Sequence, residues 1–159
     1  MTKKIILKGT YCLIICLRKD TSIEVGKRGS INFRRGYYVY VGSALNSLES
    51  RLNRHLSRNK KLFWHVDYLL NSSNAEIEEI VFAVDEGKWE CVMAAEVSKE
   101  GVEVRGFGCS DCKCSSHLFY FDELEETTLV CINSFKRISL EPNKFDDLKE
   151  IKSLENKLK

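Results

Sequence analysis

A tyrosine, an arginine and a histidine follow one another in an order that could cut a phosphodiester bond. Tyr40 and Gly42 are followed by Arg51 and, four residues later, by His55. A tyrosine can deprotonate water when cationic neighbours or a metal favour its phenolate form, and a histidine can relay a proton. An arginine can stabilise the charge that develops on phosphate oxygens. These residue types therefore indicate phosphate-ester hydrolysis.

A strand and a helix must position these side chains. Residues 37–41 are all β-branched or aromatic, which is typical of a buried strand, and Gly42 ends it. Asn46, with Glu49 three residues later, predicts a capping box that opens a helix over residues 46–57. The sequence therefore predicts that a strand presents the tyrosine and that a helix presents the arginine and the histidine.

The predicted helix sorts its residues into rows. An apolar stripe at helical spacing would pack on a sheet and consists of Leu45, Leu48, Leu52 and Leu56. Because residues four apart are neighbours on a helix surface, Arg51 and His55 should lie side by side beside this stripe. Arg54 and Arg58 form a second row that points further outward. We therefore expect one side of the helix to be cationic.

Length and composition indicate a single domain in a reducing compartment. The chain of 159 residues, 43% of them hydrophobic, can bury one core and is too short for two comfortable domains. The apolar stretch 5–17 is broken by Lys8 and Gly9, so the sequence predicts no membrane span and no secretion signal. Seven cysteines without such a signal favour the cytoplasm over a disulfide framework.

Basic residues are concentrated around the tyrosine, arginine and histidine. Residues 27–61 hold nine Lys or Arg against one acid, whereas residues 67–103 hold ten acids against two lysines. A solvated, salt-bridged surface explains most such runs, but the overlap with the potentially catalytic residues favours contact with nucleic acid. The predicted phosphate contacts are Lys27, Arg28, Arg54, Arg58, Lys60 and Lys61.

The rest of the chain predicts an α+β fold, with a small mixed or antiparallel sheet flanked by helices. The predicted strands cover residues 11–17, 23–26, 30–33, 37–41, 77–84, 102–107 and 118–121. The predicted helices cover residues 46–57, 63–70, 88–98 and 145–159. We expect one domain over residues 1–124 and an extension over residues 125–159.

The extension is expected to end in a charged helix. Its apolar residues recur at helical spacing and are Leu148, Ile151, Leu154 and Leu158. This stripe could pack on the domain itself or on another subunit, so an oligomer formed through the C-terminal helix is one possibility.

Three motifs follow one another along the chain. Gly-Thr-Tyr stands at 9–11, Tyr-Val-Gly at 40–42, and Arg51 and His55 follow on the predicted helix. Together they resemble the GIY-YIG nuclease superfamily, also called the Uri type. Each tyrosine motif is weak alone, but their order before the arginine and histidine is specific. The segments 64–69 and 108–118 resemble those of small stand-alone archaeal and bacterial Uri-type proteins.

The resemblance implies hydrolysis of DNA, including branched or damaged DNA, with one Mg²⁺ or Mn²⁺ ion held by a glutamate. Tyr11 and Tyr40 match the two family tyrosines, and Arg51 and His55 match its helix pair. Glu90 best matches the metal-binding glutamate because it opens the helix after the third core strand. Its competitors are Glu76, Glu78, Glu79 and Glu96.

The sequence departs from the family pattern in two places. The gap between the tyrosine motifs is long, which the predicted hairpin within residues 23–33 would explain. The family usually has an asparagine downstream of its glutamate, yet none occurs here between Asn74 and Asn133. Ser110 or Asp111 could stand in for it. A catalytically weak nucleic-acid-binding module on the same fold is therefore the second hypothesis.

A cysteine-bearing loop raises the question of a second metal. Zinc could be bound by Cys109, Cys112, Cys114 and His117. However, two ligands in a Cys-x-Cys pair point apart in an extended loop, and most structural zinc sites use two separated halves. A loop that packs small side chains is therefore favoured over zinc, and zinc over redox chemistry. A zinc-stabilised interaction protein is the third hypothesis.

Two further alternatives concern single residues. Tyr11 and Tyr40 could be ordinary core tyrosines of their strands, although the matching helix argues against this. His65 and Asp67 are two apart and point to different faces of a helix, so we expect them to cap or pack rather than to act as a catalytic pair.

Overall fold

The computed structural model describes residues 5–109 and 112–157 and has the predicted α+β class. Over these residues the strands are β1 (Gly9–Leu17), β2 (Thr21–Glu24), β3 (Ser30–Phe33), β4 (Gly36–Ala44), β5 (Ala75–Val84), β6 (Val102–Glu103), β7 (Leu118–Phe121) and β8 (Asn143–Lys144). The helices are α1 (Leu48–Leu56), α2 (His65–Leu70), α3 (Glu90–Ser98), α4 (Leu124–Arg137) and α5 (Leu148–Lys157).

A six-stranded antiparallel sheet forms the centre of the described fold, in the order β6-β7-β4-β1-β5-β8. β1 pairs along its whole length with both β4 and β5, which explains why residues 11–17 are almost continuously apolar. β2 and β3 form the separate hairpin that the sequence predicted. Its 3₁₀ turn, Gly26–Arg28, joins the two strands.

Alternation along the strands gives the sheet two cores. On one face Tyr11 and Tyr38 pack with Leu48, Leu52 and other residues of α1, α2 and α5. On the opposite face the intervening strand residues pack against α3 and α4. We call the first the tyrosine face and the second the valine face, since Val39 and Val41 of β4 lie on the latter.

The start of α1 differs from the sequence prediction. Ser47, not Asn46, is the N-cap, and its side chain accepts a hydrogen bond of 3.2 Å from the backbone N–H of Ser50. The predicted capping box of Asn46 and Glu49 is therefore wrong. The predicted apolar stripe is also too long, because Leu45 lies outside the helix and is 39% exposed.

α4 was not predicted, although it is the longest helix in the described part of the chain. It packs Val130, Cys131 and Phe135 on the valine face. Its buried side also contains Thr127 and Ser134, and these polar residues interrupt the apolar stripe by which an amphipathic helix is recognised. The domain boundary after residue 124 stays a prediction.

The last helix begins later than predicted, since residues 145–147 form a 3₁₀ turn and α5 starts at Leu148. Leu148 is buried in the tyrosine-face core, and Lys152 pairs with Glu49 of α1. The stripe of this helix thus contacts its own domain, while Leu154 is 60% exposed. Leu158 lies outside the described residues. Assembly with another subunit stays a prediction.

The predicted strand over residues 102–107 is wrong in its extent. β6 ends at Glu103, because the chain turns back through Gly106 and Gly108, whose φ angles are +78° and +71°.

Within residues 5–109 and 112–157, no helix has the length and apolar character needed to cross a membrane.

Candidate functional site

The predicted catalytic residues converge at one end of the tyrosine face. An open cleft of about 670 Å³ is lined there by Tyr11, Tyr40, Arg51 and Glu90. These four side chains come from four elements, β1, β4, α1 and α3. The fifth predicted residue, His55, lies directly beneath the cleft and contacts Tyr11. Tertiary folding therefore brings together residues that are as far apart in sequence as 11 and 90.

A buried pair forms the floor of the cleft. The hydroxyl of Tyr11 lies 2.7 Å from Nε2 of His55, at hydrogen-bonding distance. Tyr11 is opposite Gly42 in the sheet, and a Cβ added to Gly42 would lie 2.5 Å from the Tyr11 hydroxyl oxygen. Glycine at this position therefore leaves room for the hydroxyl to reach the histidine.

His55 lies deeper than the sequence predicted. It is 2% exposed and belongs to the buried side of α1, together with Leu48 and Leu52. The predicted stripe placed Leu56 on the buried side of the helix, but Leu56 is 41% exposed and His55 is buried there instead. The spacing of the leucines could not show this, because the stripe of a short helix drifts by a residue wherever the packing partner requires it.

Burial controls the protonation of the pair. It raises the pKa of Tyr11 to about 12, partly opposed by the guanidinium of Arg51. It also raises the pKa of Tyr40, and Tyr11 adds to that effect. Burial, with Lys60 next in size, lowers the pKa of His55 to about 3. At neutral pH both phenols are therefore protonated and the imidazole is neutral, with one ring nitrogen able to accept a proton.

The other ring nitrogen of His55 stands out. Its Nδ1 atom is buried and has no hydrogen-bond partner within residues 5–109 and 112–157. A buried polar atom without a partner is unfavourable by roughly 1–3 kcal/mol. The Tyr11 hydroxyl is thus the one polar contact that orients this ring among the described side chains.

Arg51 is held with its guanidinium at the cleft. One of its nitrogens donates a 3.1 Å hydrogen bond to the backbone oxygen of Ser43, and its Cζ lies 4.4 Å from the centre of the Trp64 ring. Stacking on an aromatic ring fixes the plane of a guanidinium, which matters for bidentate contacts to phosphate. Trp64 was not among the predicted site residues, yet it also lies 4.1 Å from Cζ of Arg54.

Glu90 begins α3 at the opposite wall. The Ser43 hydroxyl donates a 2.5 Å hydrogen bond to one carboxylate oxygen, and the ammonium of Lys88 lies 3.3 Å from the other. Ser43 therefore links Glu90 to Arg51 through its hydroxyl and its backbone oxygen. None of the four competing glutamates lines the cleft, and those are Glu76, Glu78, Glu79 and Glu96.

Most of the predicted phosphate contacts bind other groups of the protein. Arg54 forms two hydrogen bonds, of 3.0 and 2.9 Å, with the buried carboxylate of Asp67, so the expectation that it points outward was wrong. Arg58 donates to the backbone oxygens of Leu70 and Ala75. Lys60 donates to backbone oxygens at the end of α1, and Arg28 to that of Arg105. Lys27 and Lys61 are exposed.

The expected packing roles of His65 and Asp67 are confirmed. Asp67 accepts hydrogen bonds from the backbone N–H groups of Phe63 and Trp64, which caps α2. Burial would raise the pKa of Asp67, but these bonds and Arg54 hold it below its usual value. Nδ1 of His65 accepts a 2.9 Å hydrogen bond from the backbone N–H of Gly108 and so ties α2 to the cysteine-bearing loop.

A four-residue cluster that could hold a metal ion lies in the wall of the cleft. Its members are Cys91, Cys112, Cys114 and His117, whose potential ligand atoms all lie within 4.8 Å of one another. The predicted set was wrong in one member, because Cys91 of α3 takes the place expected for Cys109. The sequence offered no local signal for this exchange, since Cys91 is 21 residues before Cys112.

The residues expected to replace the family asparagine, Ser110 and Asp111, lie outside the described residues. The structure does place one other amide at the site. Asn46 precedes α1 and lines the cleft together with Ser43 and Arg51. The sequence pattern predicts Asn46 as the helix cap, but the cap is the next residue, Ser47, and Asn46 instead lines the cleft.

One family comparison covers most of the chain. A family model described as "Domain of unknown function DUF123" matches residues 10–140, and the chain therefore belongs to this family. The match includes both tyrosine strands, α1, the cysteine-bearing loop and α4. Among curated proteins and solved structures, none is significantly similar to the chain.

Proposed function

We propose that this protein is a metal-dependent endonuclease of the GIY-YIG type that hydrolyses phosphodiester bonds in DNA. The observation that carries this proposal is the convergence of Tyr11, Tyr40, Arg51 and Glu90 on one cleft, with His55 against the Tyr11 hydroxyl. The phenols and the neutral imidazole can take part in proton transfer during water attack on a phosphate ester, and the guanidinium can stabilise the charge that develops.

The buried pair supplies a route for the proton of the attacking water. The neutral imidazole of His55 can accept the proton of the Tyr11 hydroxyl through Nε2, 2.7 Å away. The phenolate oxygen can in turn take a proton from water as the water oxygen bonds to phosphorus. Because the pKa of Tyr11 is about 12 and that of His55 is about 3, proton transfer from the phenol to the imidazole is unfavourable before the attack, and we infer that these transfers accompany the attack rather than precede it.

The charged groups at the two walls of the cleft are placed to stabilise phosphate charge and to bind a metal ion. Arg51, stacked on Trp64, is placed to donate to the oxygens on which negative charge develops. The carboxylate of Glu90, with the Ser43 hydroxyl beside it, offers the oxygen ligands that Mg²⁺ and Mn²⁺ prefer. Such an ion, when bound there, supplies charge neutralisation and stabilises the leaving oxygen.

An exposed aromatic residue gives the cleft a contact for the DNA strand itself. Phe63 lines the cleft and is 76% exposed, whereas the other aromatic residues of the site are buried or half-buried. A base can stack on such a ring regardless of its sequence. Lys61, two residues earlier and also exposed, is suited to a neighbouring phosphate.

A binding module without turnover is the second candidate, and one observation favours it. Lys88 pairs with Glu90, which places a cation where the metal would bind. In such a protein the cleft would hold a DNA strand but would not cleave it. Binding would still weaken steeply with salt, because phosphate contacts release counterions.

The test is an incubation of purified protein with branched, nicked, flapped and plain duplex DNA in Mg²⁺ or Mn²⁺. We expect metal-dependent cleavage of at least one substrate. Tyr11→Phe and Arg51→Ala should each reduce the cleavage rate by roughly 100-fold to 1,000-fold, the usual effect of removing one transition-state contact. Tyr38→Phe is the matched control, because Tyr38 shares the tyrosine face but its hydroxyl donates to the backbone oxygen of Arg34.

The outcomes separate the candidates. Cleavage that is unchanged in Tyr11→Phe and Arg51→Ala would contradict the proposed site. Salt-dependent binding without cleavage of any substrate would favour the binding module. No binding even at low salt would exclude both.

A further inference from the structure

We propose that Cys91, Cys112, Cys114 and His117 bind one zinc ion in a closed, structural site that joins α3 to the cysteine-bearing loop, residues 104–117. The site is separate from the magnesium or manganese ion proposed for Glu90. It requires neither DNA nor turnover, so it stands or falls independently of the proposed nuclease activity.

The spacing of the ligand atoms suits a tetrahedral ion. Nε2 of His117 lies 3.5 Å from Sγ of Cys112 and 3.9 Å from Sγ of Cys91, and all four ligand atoms lie within 4.8 Å of one another. A zinc ion with bonds of about 2.3 Å to sulfur and about 2.0 Å to nitrogen would set its ligand atoms about 3.5–3.8 Å apart. Only small side-chain movements would therefore complete the site.

The bent backbone of the loop allows both cysteines of the Cys-x-Cys pair to reach one ion. Residues 112–117 run through bends rather than an extended strand, so Cys112 and Cys114 direct their sulfurs to the same cluster. Backbone bonds hold this shape, from Gly106 N–H to the Ser115 oxygen (2.7 Å) and from His117 N–H to the Phe107 oxygen (2.8 Å). These bonds therefore hold the segment that carries Cys112, Cys114 and His117 against residues 106 and 107.

The fourth ligand supplies the second half of the site. Cys91 lies in the first turn of α3, next to Glu90, and its sulfur belongs to the same cluster as the three ligands of the loop. Two half-sites, one from a helix and one from a loop, are the usual construction of structural zinc sites. Closing the site would therefore join two segments that are distant in sequence.

The ligand set selects the metal. Three thiolates and one imidazole are soft ligands that favour zinc and disfavour magnesium, calcium and manganese. With four protein ligands no open position remains for water, which is typical of a structural rather than a catalytic site. Three thiolates on a divalent ion also leave a net charge of −1, so this ion would repel a phosphate rather than bind it.

The position of the site gives it a role at the cleft. Cys91, Cys112 and His117 line the cleft, and the residue before Cys91 is Glu90. A zinc ion bound here would fix the first turn of α3 against the loop and so hold the Glu90 carboxylate at its wall. We therefore assign the four ligands a positioning role and no part in bond cleavage.

The test begins with metal analysis of wild-type protein that has been expressed and purified without chelator and under reducing conditions. We expect one zinc per chain. After removal of zinc by a chelator, added Co²⁺ should give the absorption of a tetrahedral thiolate site, and added zinc should displace it. Thermal unfolding should occur at a lower temperature without zinc and recover on its return.

Substitutions identify the ligands. Cys91→Ser should weaken zinc or cobalt binding by more than about 100-fold, because loss of a ligand exceeds the usual effect of losing an outer partner. Cys109→Ser is the matched control, since Cys109 belongs to the same loop but not to the four-residue cluster, and it should bind as the wild type does. Equal weakening in the two variants would contradict the assigned ligand set.

The wild-type measurements decide the proposal even where a variant fails to fold. Less than about 0.2 zinc per chain, together with no tetrahedral cobalt spectrum, would overturn it. Iron bound in place of zinc, or a disulfide involving Cys91 in freshly purified protein, would also overturn it. Because no arm of the experiment uses DNA, an inactive nuclease leaves each of these outcomes unchanged.

Discussion

The two faces of the central sheet are built from the same strands but differ in kind. On β1 and β4, Tyr11 and Tyr40 belong to the tyrosine face, while Cys12, Val39 and Val41 belong to the valine face. Side chains alternate along a strand, so one strand can serve both faces at once. The valine face is closed by α3 and α4, whereas the tyrosine face opens into the cleft at one end.

Burial has different consequences on the two faces of the sheet. Burial of the mainly apolar side chains on the valine face contributes stability. At the cleft end of the tyrosine face, burial instead shifts the pKa of Tyr11 upward and that of His55 downward. Substitutions on the two faces should therefore have different consequences, and three experiments test this.

The largest expected effect is on the valine face. Phe135→Ala removes a side chain of α4 that is 0% exposed and should destabilise the fold by about 4 kcal/mol, as large core truncations do. Urea denaturation measures the change. On the tyrosine face Tyr11→Phe removes one hydroxyl and should destabilise by about 1 kcal/mol. If Tyr11→Phe lowered the free energy of unfolding as much as Phe135→Ala, the proposed difference between the two faces would be contradicted.

The second effect is a pH dependence that belongs to the tyrosine face. The pKa of His55 is about 3 in the folded protein and 6.5 in its ordinary state, so below pH 6.5 the unfolded chain binds a proton that the folded chain does not. Stability should therefore fall by about 2 kcal/mol between pH 7 and pH 5 through this residue alone. Denaturation at both pH values measures the loss.

The control for this pH dependence is His55→Gln, which keeps a polar side chain but cannot titrate. Burial also lowers the pKa of His65 and His117, so the decisive quantity is the difference between the wild type and this variant. Identical pH profiles in the two proteins would contradict this prediction, because they would show that folding does not lower the pKa of His55.

The smallest expected effect sharpens the proposed route of DNA. Phe63→Ala should weaken binding of single-stranded or flapped DNA by about 10-fold, the effect of losing one stacking contact. Fluorescence anisotropy at fixed salt measures it. Val102→Ala is the control, because Val102 is 61% exposed but does not line the cleft. An equal effect in both variants would place the DNA elsewhere.

Local patterns made much of the fold predictable. Continuous apolar and β-branched runs identified β1, β4 and β5, and the leucine spacing identified α1, with Arg51 and His55 one turn apart. The sequence prediction that Glu90 opens α3 also agrees with the structure. These features depend on neighbours within a few residues, which is why the chain alone discloses them.

Features that depend on contact between distant segments could not be predicted in this way. The inward position of His55 depends on what packs over α1, and the pairing of Arg54 depends on Asp67 of α2. The sequence did not predict α4 because two buried polar residues interrupt its apolar stripe. These residues are buried because α4 packs on the valine face, a contact that the local sequence does not show.

The sequence by itself determined the residue types of the site, the positions of the main strands along the chain and the helix that spaces Arg51 from His55. Only the tertiary structure decided that Cys91 rather than Cys109 joins the cysteine cluster. It also decided that Glu90 reaches the cleft while its four competitors do not. The physical reason is the same in both cases. Spacing along the chain determines where a side chain points only within one helix or strand. The packing of helices and strands against one another determines which side chains meet.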